Sequence, residues 1–543
     1  MQLESIIWKS GQPIAEHYIR QFERVRELFE YDPSAPDMWR ERADWLDAGG
    51  SPRADRERLA DVLRRYNETM GSGAAALEHI EALRRGEALA VVGGQQAGLF
   101  TGPLLVIFKA ITILETARQA SERLGRPVAP VFWIAGEDHD WDEVDHIHVL
   151  TNQNEVEKLR LAKEAAHRTS VSRTPVSPEE WESILAQLDV LLMDTEYKSQ
   201  WLGLLRDFAA ASATLSDFFA RMIAWLFGRY GLVLLDSDDP HLRCLEAGWF
   251  ERLIADNEQL GEALLSGQSR VQALGYPVQA EVAANAANLF LFEQGERTLL
   301  HREGPYFANR RGSVRLTKEE LLARLQTQPE SFSNNVMTRP LMQEYLFPVL
   351  ATVLGPGEIA YWALLKQAFA AMGMRQPPIV PRVEATLLEG TVQKHMRKYE
   401  LTVMDVVERF EERKAAWLKA QDTLQLEERF GDVKRRFRED YEPLIELLAG
   451  VNPGLRKLGD TNMSKIVEQI DYLLAKATDA QQSQSGASLR QLERIRLSVL
   501  PLGKPQERVY NILAYLNRYG DGWLHELAQT RLALDGSHLL VYL

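Results

Sequence analysis

The segment EDHDWDE at residues 137–143 is the densest group of ionisable side chains in the sequence. It directly follows residues 128–134, a continuous apolar run typical of a buried strand. Carboxylates this close together raise one another's pKa values, so the segment is predicted to supply a general base. A histidine among carboxylates suits a proton shuttle. Asp138 and His139 are therefore the first catalytic candidates, and the alternative is a solvated acidic loop.

Two further histidines raise the question of a metal site. His146 and His148 are two residues apart in a predicted strand, where they share one face, and imidazole is a common metal ligand. No HExxH or comparable spacing accompanies them. Surface histidines are the simpler interpretation, so we predict no metal beyond Mg²⁺ carried with a nucleotide.

The loop GGQQAGLFTG, residues 93–102, joins an apolar strand to a helix that begins at Pro103. Its glycines allow close backbone approach and positive φ, and the start of the helix offers free N–H groups to an anion. The loop matches neither GxxxxGK[ST] nor GxGxxG. It predicts a cradle for a phosphate or carboxylate, and a tight strand-to-helix turn is the alternative. The residues assigned to binding are Gln95, Gln96, Gly98, Thr101 and Gly102.

A lysine and a second glycine-rich turn extend this set. Lys109 lies on an otherwise apolar helix, where it either snorkels to solvent or reaches the ligand. In GPGEIAYW, residues 355–362, Glu358 stands at a helix start, where the helix dipole favours it. Glu358 therefore either caps the helix or binds a substrate amine, and it joins the catalytic candidates. Tyr361 and Arg382, which closes the last predicted strand, join the binding candidates.

Neighbouring amides precede an arginine in SNNVMTRP, residues 333–340. Asn334, Asn335 and Arg339 make a set of donors suited to hydroxyls and carboxylates, and Gln343 follows on the next helix. A polar loop that caps this helix explains the segment equally well.

Near the C-terminus, Lys504, Arg508 and Asn511 form a candidate second nucleotide site. A solvated surface is the simpler interpretation of these residues taken alone. Residues 463–465, MSK, match part of the KMSKS loop of class I aminoacyl-tRNA synthetases, but they lie inside a helical pattern and the match is treated as chance.

Parallel strands joined by crossover helices are predicted to position these loops. Apolar runs at residues 89–92, 128–134, 231–236 and 347–354 indicate strands buried on both faces, and open α/β sheets bind ligands at the carboxyl ends of such strands. The predicted fold class is α/β, a Rossmann-like parallel core spanning residues 1–390. Inserts are expected at about 151–230 and 270–330, the second with short strands at 278–282, 289–292 and 298–301.

The character of the sequence changes after about residue 390. Apolar residues recur at heptad spacing between strongly charged positions, which predicts a C-terminal α-helical coiled-coil domain over residues 391–500. The alternatives are a dimerisation arm and an intramolecular helical hairpin, and the length of the pattern favours a homodimer. Residues 501–543 are expected to return to the core.

Composition bounds the function classes. The 543 residues carry a formal net charge of −14, which argues against nucleic-acid binding. The single cysteine, Cys244, allows no internal disulfide and is best explained as a small helix residue. No N-terminal signal pattern or apolar run of membrane-spanning length is present, so we expect a cytoplasmic location without membrane association.

Five ordered blocks resemble those of the bacillithiol biosynthesis cysteine-adding enzymes: GGQQAGLFTGPLLVIFKA, PVFWIAGEDHDWDEV, SNNVMTRPLMQEYLFP, LGPGEIAYWALLK and GKPQERVYN. The resemblance covers essentially the whole chain. It implies a Rossmann-type core on the plan of class I synthetases, with connecting inserts and a coiled-coil dimerisation domain. It also implies a ligase that adds L-cysteine to glucosaminyl-malate by amide formation, the last step of bacillithiol synthesis.

Amide formation in water needs an activated carboxyl, so ATP (or its product ADP) is the expected cofactor, acting through an acyl-adenylate or an acyl-phosphate. The phosphates or acyl group are expected on the loop at 93–102, with Asp138 and His139 assisting amine deprotonation or holding the amino acid. Two other classes stay open. A metal-dependent hydrolase would use Asp138 and His139, and a non-catalytic nucleotide-binding scaffold would use the helical arm.

Overall fold

The computed structural model describes residues 1–151, 153–163, 168–421, 425–484 and 486–543. The chain divides into two compact units, one formed by Met1–Leu387 with Lys504–Leu543 and the other by Leu388–Gly503. The predicted site residues all belong to the first unit.

The strands, in chain order, are β1 (Gln2–Ile6), β2 (Leu89–Gln95), β3 (Val128–Ile134), β4 (His146–Leu150), β5 (Val156–Arg160), β6 (Val233–Asp236), β7 (Ala286–Glu293), β8 (Glu296–Glu303), β9 (Tyr306–Asn309), β10 (Arg315–Thr317), β11 (Phe332–Asn334), β12 (Val349–Leu354), β13 (Ile379–Pro381), β14 (Glu384–Leu388) and β15 (His538–Tyr542).

The α-helices are α1 (Pro13–Arg20), α2 (Met38–Asp47), α3 (Arg56–Met70), α4 (Ala74–Arg84), α5 (Leu105–Leu124), α6 (Trp141–Val144), α7 (Pro178–Leu191), α8 (Lys198–Ala210), α9 (Leu215–Phe227), α10 (Pro240–Ala255), α11 (Asn257–Ala273), α12 (Lys318–Thr327), α13 (Arg339–Leu346), α14 (Pro356–Trp362), α15 (Lys366–Ala371), α16 (Gly390–Lys398), α17 (Val403–Ala420), α18 (Leu426–Val451), α19 (Gly454–Gln484), α20 (Gly486–Val499), α21 (Leu513–Tyr519) and α22 (Gly522–Gln529).

A parallel sheet forms the centre of the first unit. Within the described residues its order is β13-β12-β2-β3-β6, with each neighbouring pair parallel. The strands are buried on both faces because helices pack on each side; Val91, Val92, Val131 and Phe132 are all fully enclosed. Helix α5 makes the crossover between β2 and β3 and ends at Gly125, which takes the left-handed conformation of a helix stop. The predicted Rossmann-like fold class is confirmed.

The second predicted insert contains an antiparallel sheet of order β10-β9-β8-β7-β11. Two of its three predicted strands fall within β7 and β8, but the strand predicted at 278–282 is wrong. Val278 and Ala280 are apolar because they pack against the main core, not because they pair with a neighbouring strand. An apolar run of this length does not by itself distinguish the two cases.

The helical pattern that begins near Glu358 continues to Met372 in the sequence, but the structure divides it into two helices. A tighter turn, in which Leu364 N donates to the Tyr361 carbonyl at 3.1 Å, separates α14 from α15. Such i→i−3 bonds end an α-helix without any proline or glycine at the break, so the sequence carried no signal for it.

The second unit contains a helical hairpin made by α18 and α19. Lys434 Nζ donates to Asp471 Oδ1 at 2.6 Å, and the Tyr441 hydroxyl donates to Asn462 Oδ1 at 2.7 Å, a register that makes the two helices antiparallel. The predicted C-terminal helical region is confirmed, and the intramolecular hairpin is present. None of the helices in the described ranges is long and apolar enough to cross a membrane.

Candidate functional site

Several of the predicted catalytic and binding residues lie at one edge of the parallel sheet. Strands β2, β3, β6, β12 and β13 all run the same way, so their carboxyl ends share this edge. The segments that follow them carry Gln96, Asp138, Glu358 and Arg382. These residues are far apart in the sequence, and the order of the strands in the sheet brings them to the same edge.

Gln96 joins the two loops that follow β2 and β3. Its Nε2 donates to Asp138 Oδ2 at 2.6 Å and to Glu143 Oε2 at 2.7 Å. Asp138 Oδ1 in turn accepts from the backbone N–H of His139 at 2.7 Å. Gln96 therefore fixes the Asp138 carboxylate in one orientation and keeps its own Oε1 outside these contacts.

These contacts set the charge of Asp138. Partial burial raises the pKa of Asp138, but the hydrogen bond from Gln96 and the positive charge of Arg297 outweigh it and hold that pKa below the ordinary value. Asp138 is therefore a fixed anion at neutral pH. The rise in pKa predicted for some carboxylates of this cluster does not apply to Asp138, because Gln96 and then Arg297 stabilise its charged form.

The neighbouring Arg297 determines which ring nitrogen of His139 carries the proton. Arg297 Nη1 lies 3.0 Å from His139 Nδ1, and since an arginine only donates, Nδ1 accepts and the ring proton is on Nε2. Burial and then the charge of Arg297 lower the pKa of His139, against the opposing effect of Asp138. The imidazole is therefore neutral, and through Nε2 it is a hydrogen-bond donor.

Arg297 is the main functional residue that sequence reasoning missed. It lies on β8 with 8% of its surface exposed, its guanidinium 3.7 Å from the centre of the Phe290 ring. Nε donates to Ser333 Oγ at 2.8 Å and Nη2 to the Asn334 carbonyl at 2.6 Å. No local motif marks it, because its role comes from the packing of the inserted sheet against the loop after β3.

The two predicted asparagines have different environments. Asn334 is 1% exposed, and neither its side-chain oxygen nor its nitrogen has a hydrogen-bond partner among the described residues. Asn335 is fully used inside the protein: its oxygen accepts from Met337 N at 2.9 Å and its nitrogen donates to Asn288 Oδ1 at 3.0 Å. An unpaired buried amide indicates a missing water or ligand, so Asn334 is the better binding candidate.

Lys109 is completely buried and does not snorkel to solvent. It donates to the Gly94 carbonyl at 2.8 Å, to Gln95 Oε1 at 3.1 Å and to Glu358 Oε2 at 2.5 Å. These three contacts account for its three donors. Burial lowers the pKa of Lys109, and the Glu358 carboxylate opposes that effect. Lys109 holds β2 and α14 together.

Glu358 takes the capping role that was one of its two predicted alternatives, and the binding of a substrate amine stays a prediction. Its Oε2 accepts from Gly355 N at 2.7 Å and so caps the start of α14. The same oxygen receives Lys109, which leaves Oε1 outside these contacts. The side chain is 24% exposed, so Oε1 is accessible to a ligand.

The remaining binding candidates are divided by the structure. Arg339 Nη2 donates to the Tyr361 hydroxyl at 2.7 Å, so these two candidates lie together. Arg382 instead makes a bidentate ion pair with Glu507, at 2.9 Å and 2.5 Å. Gln343 is buried on α13.

The second half of the glycine loop is closed to solvent. Gly98, Thr101 and Gly102 are buried, and a Cβ on Gly98 would lie 2.9 Å from Gly102 Cα. Phe100 and Thr101 both take positive φ, 47° and 75°, a strained conformation for residues other than glycine. Ligand contact by this half would require the loop to open, and it stays a prediction.

The candidate second nucleotide set does not form one site. Asn511 is buried and donates to the carbonyls of Phe100 and Gly102, at 2.8 and 2.6 Å, so it supports the glycine loop. Lys504 and Arg508 are exposed. Arg508 lines a cavity of about 420 Å³ together with Lys9 and Gly357.

The histidines considered for a metal lie with ring centres 5.2 Å apart. Burial, and then His146, lower the pKa of His148 to about 4. Across the part of the chain that the structure describes, no three His, Cys, Asp or Glu side chains converge in a way that could hold a metal ion.

Comparison with known proteins gives full-length matches. Residues 1–383 match the description "Bacillithiol biosynthesis BshC, N-terminal Rossmann-like domain", and residues 385–543 match "Bacillithiol biosynthesis BshC, C-terminal coiled-coil domain". Three similar proteins each carry the curated name "Putative cysteine ligase BshC". The protein of Geobacillus thermodenitrificans is 40% identical over 90% of this chain and 91% of its own. That of Geobacillus sp. strain WCH70 is 35% identical over 100% of both chains, and that of Symbiobacterium thermophilum 36% over 97% of both.

Proposed function

This chain belongs to the bacillithiol biosynthesis BshC family, and we propose that it is a ligase that joins L-cysteine to glucosaminyl-malate through an amide bond, with ATP activating the cysteine carboxyl. The observation that carries the proposal is the match along the whole chain to relatives named as cysteine ligases. The acceptor is what the resemblance of the motif blocks implies, and ATP follows from the need of amide formation for an activated carboxyl. The geometry of the site supports the assignment of roles that follows.

Asp138 holds an ammonium group in this proposal. Its lowered pKa makes it a weak base but a permanent anion at neutral pH, and a fixed carboxylate suits the α-ammonium of cysteine. Glu358 offers its Oε1 to the second amine of the reaction, that of the acceptor. Because Glu358 Oε2 already receives Lys109 and a backbone N–H, its orientation is fixed before the substrate arrives.

His139 acts as a donor and not as a proton shuttle. Its Nδ1 is occupied by Arg297, and its neutral ring presents Nε2–H. A neutral donor of this kind stabilises oxygen that gains negative charge as the acceptor nitrogen attacks the cysteine carbonyl carbon. Asn334 and Arg339 supply further donors for hydroxyl and carboxylate oxygens.

ATP fits the donor set on chemical grounds. The Asn334 amide is buried without a hydrogen-bond partner among the described residues, which indicates a missing water or polar ligand atom at that position. Gln95, Gln96 and Arg339 would hold the nucleotide, and when bound it would supply the activation of the carboxyl. Lys109 would not contact phosphate, because its three donors are already used.

The test is product formation by the purified protein. We expect cysteine, glucosaminyl-malate and ATP together to give a product with the mass of bacillithiol, and omission of any one of them to give none. Product formed without nucleotide would contradict the ATP assignment. A metal-dependent hydrolase is not favoured, since three metal ligands do not converge in the described residues, and activity that survives a chelator when excess Mg²⁺ is restored would exclude a tightly bound catalytic metal.

The proposed assembly is a homodimer formed through the helical hairpin. Exposed apolar side chains cluster near the closed end of α18 and α19: Leu444, Leu447, Leu448, Val451 and Leu458. Leu447 is 70% and Val451 79% exposed. A contiguous apolar surface of this kind on a helix pair is typical of an interface, and a second copy offers the matching heptad surface.

Light scattering after size exclusion tests the dimer. We expect the wild-type protein to elute at twice its 61.7 kDa chain mass and Leu447→Glu to shift towards the monomer, because a buried unpaired carboxylate opposes association. Val190→Glu is the matched control, since Val190 is 86% exposed on α7, outside the hairpin. A wild-type monomer, or equal effects of the two variants, would contradict the assignment.

A further inference from the structure

A basic cavity lies on the inserted antiparallel sheet. Its volume is about 500 Å³, and its lining comes from β7, β8 and the turn that follows β9. Four arginines line it, Arg168, Arg297, Arg310 and Arg311, against one carboxylate, Glu296. In a chain of net charge −14, this concentration of guanidinium groups creates a local field of the opposite sign.

Two of the rim arginines retain their donors for a ligand. Glu296 is taken by an ion pair with Arg311, whereas the Arg310 and Arg168 side chains have no ion-pair partner among the described residues. Both are exposed, so a ligand reaches them without a change in the fold. Guanidinium groups bind carboxylates through two parallel hydrogen bonds.

Arg297 connects the cavity to the candidate active site. It lies at the wall of the cavity, and its Nη1 contacts His139, which lines the same cavity. A molecule with its anionic end on the rim arginines therefore has its other end directed towards His139. None of the glycine-loop residues 93–102 lines this cavity, so it is distinct from the loop assigned to the nucleotide.

We infer that this cavity binds the dicarboxylate end of the amine acceptor, with Arg310 and Arg168 as its anion contacts and Arg297 as the link to His139. The inference rests on the proposed function for the identity of the acceptor. It adds a specificity role, because the rim arginines would select an acceptor that carries the malate carboxylates.

Titration of the protein with L-malate, without cysteine or ATP, tests the anion site directly. We expect measurable binding to the wild-type protein and binding weaker by roughly tenfold or more in Arg310→Gln, because a charge-assisted hydrogen bond is lost. Arg315→Gln is the matched control. Arg315 is an exposed arginine on the same sheet, stacked over the Tyr306 ring and outside the cavity lining. No malate binding, or equal weakening by both variants, would overturn the inference.

Kinetics identify which substrate uses the site. We expect Arg310→Gln to raise the KM for glucosaminyl-malate by roughly tenfold while the KM values for cysteine and ATP stay unchanged. The preference of the enzyme for glucosaminyl-malate over methyl glucosaminide should fall by the same factor. A rise in the KM for ATP instead would assign the cavity to phosphate and overturn the inference. If the wild-type protein makes no amide at all, the proposed function fails, and the malate titration still decides whether the anion site exists.

Discussion

The two polar loops at the carboxyl edge of the parallel sheet use their side chains in opposite ways. The glycine loop after β2 turns inward from Ala97 onwards, where Phe100 and Thr101 are fully buried and Asn511 occupies two of its carbonyls. The loop after β3 keeps Asp138 and His139 partly exposed, each fixed by a neighbour outside the loop.

The two loops differ in which of their polar groups already have hydrogen-bond partners within the protein. In the buried half of the glycine loop, backbone groups are satisfied by the protein, so those residues maintain shape. In the loop after β3, Gln96 orients Asp138, which stays charged. Arg297 contacts His139 at Nδ1 and leaves its Nε2–H available. The glycine-rich pattern therefore predicted the sheet edge at which the candidate residues lie, whereas the donors and acceptors left without protein partners show which of them are available to a ligand.

The largest effect is expected from Asp138→Asn. Loss of the fixed anion should lower product formation by roughly 100-fold, the cost of one hydrogen bond to a charged group, with little change in thermal stability. Asp140→Asn, an exposed neighbour in the same loop, is the control and should keep its activity. Rates are measured by product mass at saturating ATP. Equal activity of Asp138→Asn and wild type would remove Asp138 from the site.

In the glycine loop we expect the reverse pattern: Asn511→Ala should lower stability and leave activity almost unchanged. Two buried carbonyls lose their donor, which is expected to destabilise the protein by about 2 kcal/mol and to lower its thermal midpoint by a few degrees. Activity at 25 °C should stay near that of the wild type, since the loop still forms there. Lys504→Ala, an exposed change in the same segment, should leave the midpoint unchanged. A large loss of activity in Asn511→Ala without loss of stability would instead support direct ligand contact.

Local sequence patterns were sufficient to predict the parallel core. The run that became β3 is apolar throughout because it is covered on both faces, and that property is readable in one window of sequence. The same pattern predicted that the candidate residues lie at one edge, since loops after parallel strands share it. The break between α14 and α15 was not readable, because a tighter turn ended the helix without a residue that requires it.

Contacts between distant segments account for what the sequence did not reveal. Arg297 lies 158 positions from His139, in a strand whose side-chain pattern is typical of any surface hairpin. It adds to the hydrogen bond from Gln96 in lowering the pKa of Asp138, and to burial in lowering the pKa of His139. Packing between segments far apart in the chain also explains why all three donors of Lys109 are used and why Asn511 is buried.

Arg297→Gln tests this long-range control of the loop after β3, and it should have the smallest effect on the rate at neutral pH. In the wild type, burial and the Arg297 charge lower the pKa of His139 below that of a free histidine. The neutral ring therefore persists as the pH falls below about 6.5, and the activity that depends on it is lost as the pH falls through the lowered pKa. Without the arginine charge the pKa rises, so the loss begins at higher pH.

The measurement is the His139 ring signal followed by NMR across a pH titration, together with the acid limb of kcat/KM. Both should move to higher pH in Arg297→Gln. Arg173→Gln is the matched control, because Arg173 also stacks on a phenylalanine, Phe292, at 3.7 Å but pairs with Asp238 and does not contact His139. The NMR signal separates His139 from Asp138, whose pKa the same arginine lowers. A His139 titration unmoved by loss of Arg297 would mean that burial alone keeps the ring neutral, and the loop after β3 would then set its own chemistry.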